Sequence, residues 1–235
     1  MKIGIIADIH NNLHALDAVL KHFDQEQLDG IICCGDINSI GAYPEETAQA
    51  IIQIPNMLAC VCGNHERYHT QGYDANTMGE GEVAHHKWES GLLSQESKDF
   101  FASLPFSQTL TIHGHKIHIT HFGMDENNNY IKLPSFGETG DMQEIFKTID
   151  ADIVLHGHNH KVYTIHKDKW YINPGSLGCP GNDKNIARAG ILHIKEHDFS
   201  FENISVKYDI TKTLEDMDRL DYPDKDFIKK IFYGV

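Results

Sequence analysis

Basic residues are scarce in this chain. Its 235 residues hold 20 lysines and arginines against 34 aspartates and glutamates, a formal charge of -14, and they form no long basic block. Such a surface repels nucleic-acid backbones and anionic lipid, so neither long nucleic acid nor membrane is an expected partner. A small phosphate-bearing ligand stays compatible, because bound divalent ions reverse the field locally. Long apolar runs are also missing, and no stretch reaches the ~18 residues that a membrane span requires. MKIGIIA, residues 1–7, runs straight into Asp8 without the longer apolar region and cleavage site of a secretion signal, and reads as a first strand. Cysteines are few and odd in number: Cys33, Cys34, Cys60, Cys62 and Cys179. In a chain of this size they point to free, mostly buried thiols and a reducing compartment, so the cytoplasm is the expected location. Without a linker, repeat or low-complexity tract, one domain over residues 1–235 is expected.

What the chain does have is short apolar runs alternating with helical periods. KIGIIAD is a strand ending at a carboxylate; Leu13, Leu16, Val19, Leu20 and Phe23 then recur at helical spacing. DGIICCGD repeats the strand form at 31–34. Residues 44–54 predict a second helix, with Pro44 in its first turn and Glu45 and Glu46 near its positive end. MLACVCGN is a third strand followed by a polar turn, so an α/β core with parallel strands is expected. The segment 69–103 is polar and glycine-marked up to Gly81, then predicts helices at 82–90 and 94–103, and is placed to cover one side of a site. Strands follow at QTLTIH, IHITHFG and ADIVLHGHNH, then a hairpin at KVYTIH and KWYINPGS, then GILHIKEH and FENISVKYD. The tail predicts helix at 211–218 and 224–231.

Five strand ends carry nearly all of the chemistry: IADIH, CCGD, VCGNHE, ITHFG and LHGHNH. They deliver Asp8, His10, Asp36, Asn64, His65, His121, His158 and His160 to the carboxyl ends of strands, where open α/β sheets bind ligands. Any one of these histidines or carboxylates alone is more often a structural or exposed residue. Five strand ends of one kind are hard to explain that way. Side chains two apart on extended backbone face the same way, so Asp8 with His10, and His158 with His160, are expected to act as pairs. Eight donors suffice for two ions, with Asp36 between them as a bridging carboxylate. A mixed nitrogen and oxygen shell suits manganese, iron or zinc better than calcium. The remaining histidines, including His69, His85 and His86, have no such company and receive no role.

In this order the motifs resemble those of the calcineurin-like metallophosphoesterases, in particular their small prokaryotic phosphodiesterase branch: D-x-H at 8–10, G-D at 35–36, G-N-H-E at 63–66, His121, and G-H-x-H at 157–160. GDINSIGAYPEE is similar to a segment of the diadenosine tetraphosphatase-like members, and INPGSLG at 172–178 to a family loop. The resemblance covers residues 1 to about 210 and implies a four-layer α/β/β/α sandwich of two mixed sheets with a dinuclear site at its edge. It implies Asp8, His10 and His160 on one metal, Asn64, His121 and His158 on the other, and Asp36 on both. It further implies that His65 contacts the phosphoryl group or protonates the leaving oxygen. Arg188 matches a downstream arginine of relatives; it either binds a phosphate oxygen or is an ordinary surface residue. Cys179-Pro180-Gly181, where relatives often have proline and arginine, and Phe122, where a small residue is common, depart from the pattern.

The expected activity is hydrolysis of a phosphodiester, phosphoanhydride or phosphomonoester of a small molecule, a nucleotide first among them, by a hydroxide bridging two divalent ions. A phosphoprotein phosphatase is an alternative, as is a non-catalytic metal-binding scaffold of the same fold. Glu66 either orients His65 or caps the following segment, and Asn173 and Ser176 either support the metal histidines or only shape a turn.

Overall fold

The computed structural model describes residues 1–72, 78–132, 140–220 and 222–235. The chain begins β1 (Lys2–Ile6), α1 (Leu13–Glu26), β2 (Gly30–Cys33), α2 (Pro44–Ile52), β3 (Met57–Cys60), which is the expected alternating unit. It continues with α3 (Asn64–Gln71), α4 (Glu80–Leu92), α5 (Gln95–Ser103) and the hairpin β4 (Ser107–Ile112) and β5 (His115–Thr120). After α6 (Met142–Ile145) and β6 (Ile153–Leu155) come the hairpin β7 (Val162–His166) and β8 (Trp170–Pro174), and the antiparallel pair β9 (Ile186–Lys195) and β10 (Asp198–Lys207). The tail holds α7 (Ile210–Arg219) and α8 (Lys225–Ile228), which runs on as a π-helical turn over Lys229–Tyr233.

Two five-stranded mixed sheets result, ordered β10-β9-β1-β2-β3 and β4-β5-β6-β8-β7. Alternation along each strand decides which layer a side chain joins. Ile3, Ile5 and Ala7 face the second sheet and pack with Ile117, Ile119, Ile153, Leu155 and Ile172. Ile6, Ile31 and Cys33 face the other way, against Leu16, Val19 and Phe23 of α1 and Ala48 and Ile51 of α2. Each of these large α1 side chains contributes about 1.5–3 kcal/mol on burial. The far side of the second sheet buries Phe122, Met142, Phe146, Val154 and Tyr171 under the short α6. The layers are therefore helix, sheet, sheet, helix, as expected. Among the described residues no helix is long and apolar enough to cross a membrane.

One feature departs from the sequence expectation. Asn64 and His65 do not sit on a polar turn: they open α3, with Gly63 as the residue before its first turn. The helix was hidden because its eight residues, NHERYHTQ, carry no apolar stripe. Residues 73–77 of the 69–103 segment lie outside the described residues, but α4 and α5 occupy the places expected for helices.

Candidate metal centre

β1, β2 and β3 run parallel, as do β5 and β6, so each set ends on one edge. Past those ends the chain leaves extended geometry at once. Asp8 (φ 52), His10 (φ 49), Asp36 (φ 51), His158 (φ 78) and His160 (φ 58) all adopt left-handed backbone. This corrects the expectation that the D-x-H and H-x-H pairs lie on extended strand: their side chains converge through tight turns beyond β1 and β6. Such conformations cost about 1 kcal/mol or more each and persist only where surrounding bonds impose them.

Those bonds are present. The β1 and β2 loops are zipped together by Asp8 N to Gly35 O (3.0 Å), Ile9 N to Asp36 O (2.7 Å) and Asn11 N to Ile37 O (2.9 Å). Ser176 Oγ donates to Asp8 O (2.8 Å), and Asn173 Nδ2 donates to Gly157 O and Asn159 Oδ1 (both 2.8 Å). Both therefore brace the backbone of the loops rather than the imidazoles. His158 N donates to the Asp8 carboxylate at 3.0 Å, joining the two sheets. The largest brace is Glu66, buried in the first turn of α3. Its carboxylate accepts from the backbone N–H of Asp36 (3.0 Å), Ile37 (2.8 Å), Asn38 (3.1 Å) and Gly63 (2.7 Å). Glu66 thus caps α3 and clamps the Asp36 loop, and these bonds are to backbone, not to His65.

The side chains converge on the Asp36 carboxylate. Its Oδ2 lies 3.1 Å from His121 Nε2 and 3.9 Å from both His10 Nε2 and His65 Nε2. On one flank His10 Nε2 and His160 Nε2 approach to 3.0 Å, with Asp8 Oδ1 3.8 Å from the latter. On the other, Asn64 Oδ1, His121 Nε2 and His158 Nδ1 form a triangle of 3.1 to 3.3 Å edges. Donor atoms spaced ~3 Å apart suit an ion with bonds of about 2.0–2.2 Å. The ring orientations agree: His121 Nδ1–H donates to Cys34 O (2.9 Å) and His10 Nδ1–H to Asn38 O (3.2 Å), so Nε2 of each faces inward, where an ion would take the place of the Nε2 proton that Asp36 holds on His121. Phe122 is buried with its ring 4.8 Å from that of His158, so it packs beneath the ligand shell.

Burial governs the charges. It pushes Asp8 up to about 8 and His10 and His160 down to about 3. Asp36, which burial would raise, is held well below the carboxylate range chiefly by His121; that imidazole, which burial would lower, is held up at about 10 by Asp36. Buried carboxylates with few cationic partners make a donor set that dications complete.

His65 sits above this set, its ring edge-on to His10 at 5.2 Å and its backbone N–H donating to Asp36 Oδ1 (3.1 Å). Arg188 is not brought to the cluster. Its guanidinium bonds Asp183 and Ser205, which favours the surface alternative. Three groups escaped the sequence reading. Cys179 comes close to His10 and His160, though burial drives its thiol well above the usual range. Glu89 of α4 accepts from Asn11 Nδ2 (2.6 Å), Ser39 N (2.5 Å) and His69 Nε2 (2.8 Å), tying α4 to both ligand loops. His85 Nε2 accepts from Ile40 N (3.0 Å). None follows a motif; only the fold brings them to the site.

The sequence comparisons agree with this geometry. Residues 1–197 match the calcineurin-like phosphoesterase superfamily domain. The chain belongs to that superfamily. It is 30% identical over 233 residues to an uncharacterized protein of Methanocaldococcus jannaschii, covering 91% of this chain and 90% of the relative. The fold of this phosphoesterase-family chain is similar to a metallophosphoesterase from Sphaerobacter thermophilus (TM-score 0.76, 23% identity, 100% of this chain and 99% of that one). It is also similar to a hypothetical protein from Pyrococcus horikoshii OT3 (TM-score 0.82, 17% identity, 100% and 98%). Family membership supports a metal-dependent phosphoesterase and implies divalent metal ions as its cofactors.

Proposed function

We propose that this calcineurin-like protein hydrolyses a phosphodiester, phosphoanhydride or phosphomonoester bond of a small molecule, a nucleotide in the first instance, with two divalent ions of manganese, iron or zinc. The observation that carries the reading is the position of Asp36 Oδ2 between two donor sets. Asp8, His10 and His160 would hold one ion and Asn64, His121 and His158 the other, with Asp36 shared. A carboxylate oxygen suits sharing where an imidazole offers one lone pair to one ion. When bound, the ions supply charge neutralisation for phosphoryl oxygens and activation of water at neutral pH.

The chain's own residues supply the rest. Glu66 and the N–H zipper hold Asp36 in its left-handed turn before any ligand arrives, so the donors are preorganised. Asn64 and His65 open α3, where the helix's positive end favours a phosphoryl group. His65 Nε2 is positioned to contact a phosphoryl oxygen or to move a proton to the leaving oxygen. The adjoining cavity, of 320 Å³, is closed in by α4 and the C-terminal segment, which supports a small substrate over a phosphoprotein. Retention of every expected donor and of His65 supports turnover over a scaffold role. The free cysteines accord with a reducing compartment such as the cytoplasm.

The test is the initial rate on bis-p-nitrophenyl phosphate after chelator stripping, with and without manganese, beside His65→Ala. Manganese-dependent turnover that collapses in the variant is expected. No turnover on this diester or on p-nitrophenyl phosphate, with manganese, iron or zinc restored, would overturn the reading.

A further inference from the structure

The superfamily match ends at residue 197, yet one wall of the cavity beside the metal centre is built by residues beyond it. Phe227, Ile228 and Phe232 face Ile40 and the start of α4 across this space. The wall is anchored from behind. Ile228, Tyr233, Met217 and Tyr222 are buried with Ile40, Ala42 and Cys179, and the Tyr222 ring lies 5.0 Å from both His85 and Trp88. A Cβ at Gly81 would fall 2.3 Å from Asp224 Oδ2, so the start of α4 and the segment approach closely there. On this fixed support Phe227 is 54% exposed while its neighbour Ile228 is 6% exposed. The Phe232 ring is 6.4 Å from that of His160, so the aromatic surface starts at the donor cluster.

Charge narrows the occupant. The side chains lining the cavity include Glu82 and Asp224 but no lysine or arginine among the described residues. Burial lowers His85 to about 4, leaving it neutral at pH 7. A phosphate chain extending along this wall would meet two carboxylates and no lining lysine or arginine; among the described residues only Glu82 has a cationic partner, His86 at 3.9 Å. A flat, uncharged ring with amine donors meets the opposite situation: aromatic faces to stack on and carboxylates to accept its N–H groups.

Building on the phosphoesterase reading, we propose that the C-terminal wall selects the organic half of the substrate, a nucleoside whose base stacks on Phe227 and Phe232 and whose exocyclic amine donates to Glu82 or Asp224. Chains of further phosphates are disfavoured there, which argues against a dinucleoside polyphosphate lying along this wall.

The full-length, manganese-loaded protein tests this with two chromogenic diesters, the p-nitrophenyl ester of adenosine monophosphate and methyl p-nitrophenyl phosphate. The quantity read is the ratio of their kcat/KM values, so partial loss of folding or metal in a variant cancels. A parent ratio well above one is expected, and Phe227→Ala and Phe232→Ala should each reduce it about tenfold, the scale of one base stacked on one aromatic ring. Asp224→Asn with Glu82→Gln should erase the preference for the adenosine ester over its thymidine counterpart. If both esters are cleaved and the Phe variants leave the ratio within about twofold of the parent, the nucleoside wall is wrong while the phosphoesterase reading stands. Failure of the parent to cleave either ester overturns the inference, while the phosphoesterase reading is decided separately by turnover of bis-p-nitrophenyl phosphate or p-nitrophenyl phosphate with manganese, iron or zinc restored.

Discussion

Glu66 Oε2 lies 3.0 Å from the backbone nitrogen of Asp36, and the same carboxylate takes three more backbone N–H groups from residues 37, 38 and 63. A residue in the first turn of α3 thereby sets the shape of the loop on which both donor sets depend. Removing the carboxylate strands four N–H groups, three of them in that loop, and each unsatisfied buried donor costs about 1–3 kcal/mol. Glu66→Ala is therefore expected to destabilise the protein by more than about 3 kcal/mol and to lower manganese affinity, read by urea denaturation and by metal titration. Glu66→Gln, which keeps one acceptor oxygen, should fall between the two. An unchanged denaturation midpoint in Glu66→Ala would refute the clamp.

His65 is close enough to Asp36 and His10 to be mistaken for a ligand, since the three form one group of potential donors. The two roles separate experimentally. If it acts on substrate, His65→Ala keeps its metal content by elemental analysis while kcat falls by about 10²–10⁴. A fall in bound metal to match the fall in rate would instead make it a ligand.

Gly63 meets a steric limit. A Cβ there would lie 2.1 Å from Asp36 Oδ1 and 2.4 Å from Asp36 N. Gly63→Ala is expected to displace the shared carboxylate and abolish manganese-dependent turnover while far-ultraviolet circular dichroism stays near the parent's. Retention of more than about half the parent's activity would show that the loop yields more easily than its hydrogen bonds imply.

Much of this site could be read from the chain because apolar strands that end abruptly in Asp, His or Asn leave a local pattern, and β1, β2, β3, β5 and β6 all do so. The two-sheet layering was expected from the family resemblance, and alternation within each strand explains how the layers are filled. What stayed hidden is held by contacts between distant segments. Glu89 reaches Asn11 and Ser39 across 78 and 50 residues, and no periodicity in α4 announces it. The left-handed turns at Asp8, His10, Asp36, His158 and His160 occupy positions where the residue type gives no glycine signal. Arg188 shows the converse: the resemblance marked it as a candidate phosphate contact, but Asp183 and Ser205 hold its side chain.

The α3 and α4 contact behind His65 gives a pH-dependent contribution to stability. His86 is buried, and burial alone would lower its pKa; contacts with Glu82 (3.9 Å) and Glu89 (3.8 Å) outweigh this and raise it to about 9. Glu89, which burial would raise, is held well below the carboxylate range by His69 and His86, and Glu82 is also lowered, chiefly by His86, so both stay ionised across the window concerned. His69, Tyr68, His65 and His85 also face the same ring. A group whose folded pKa exceeds its unfolded value binds its proton more tightly when folded. The stabilisation is therefore complete below about 6.5 and is lost as pH rises through about 9. Urea denaturation of the parent and of His86→Gln at a series of pH values checks the sign: the gap between them is expected to be widest at the acid end and to shrink toward alkaline pH. A gap that stays constant or widens with rising pH would mean that His86 is neutral in the folded protein and contributes by packing alone.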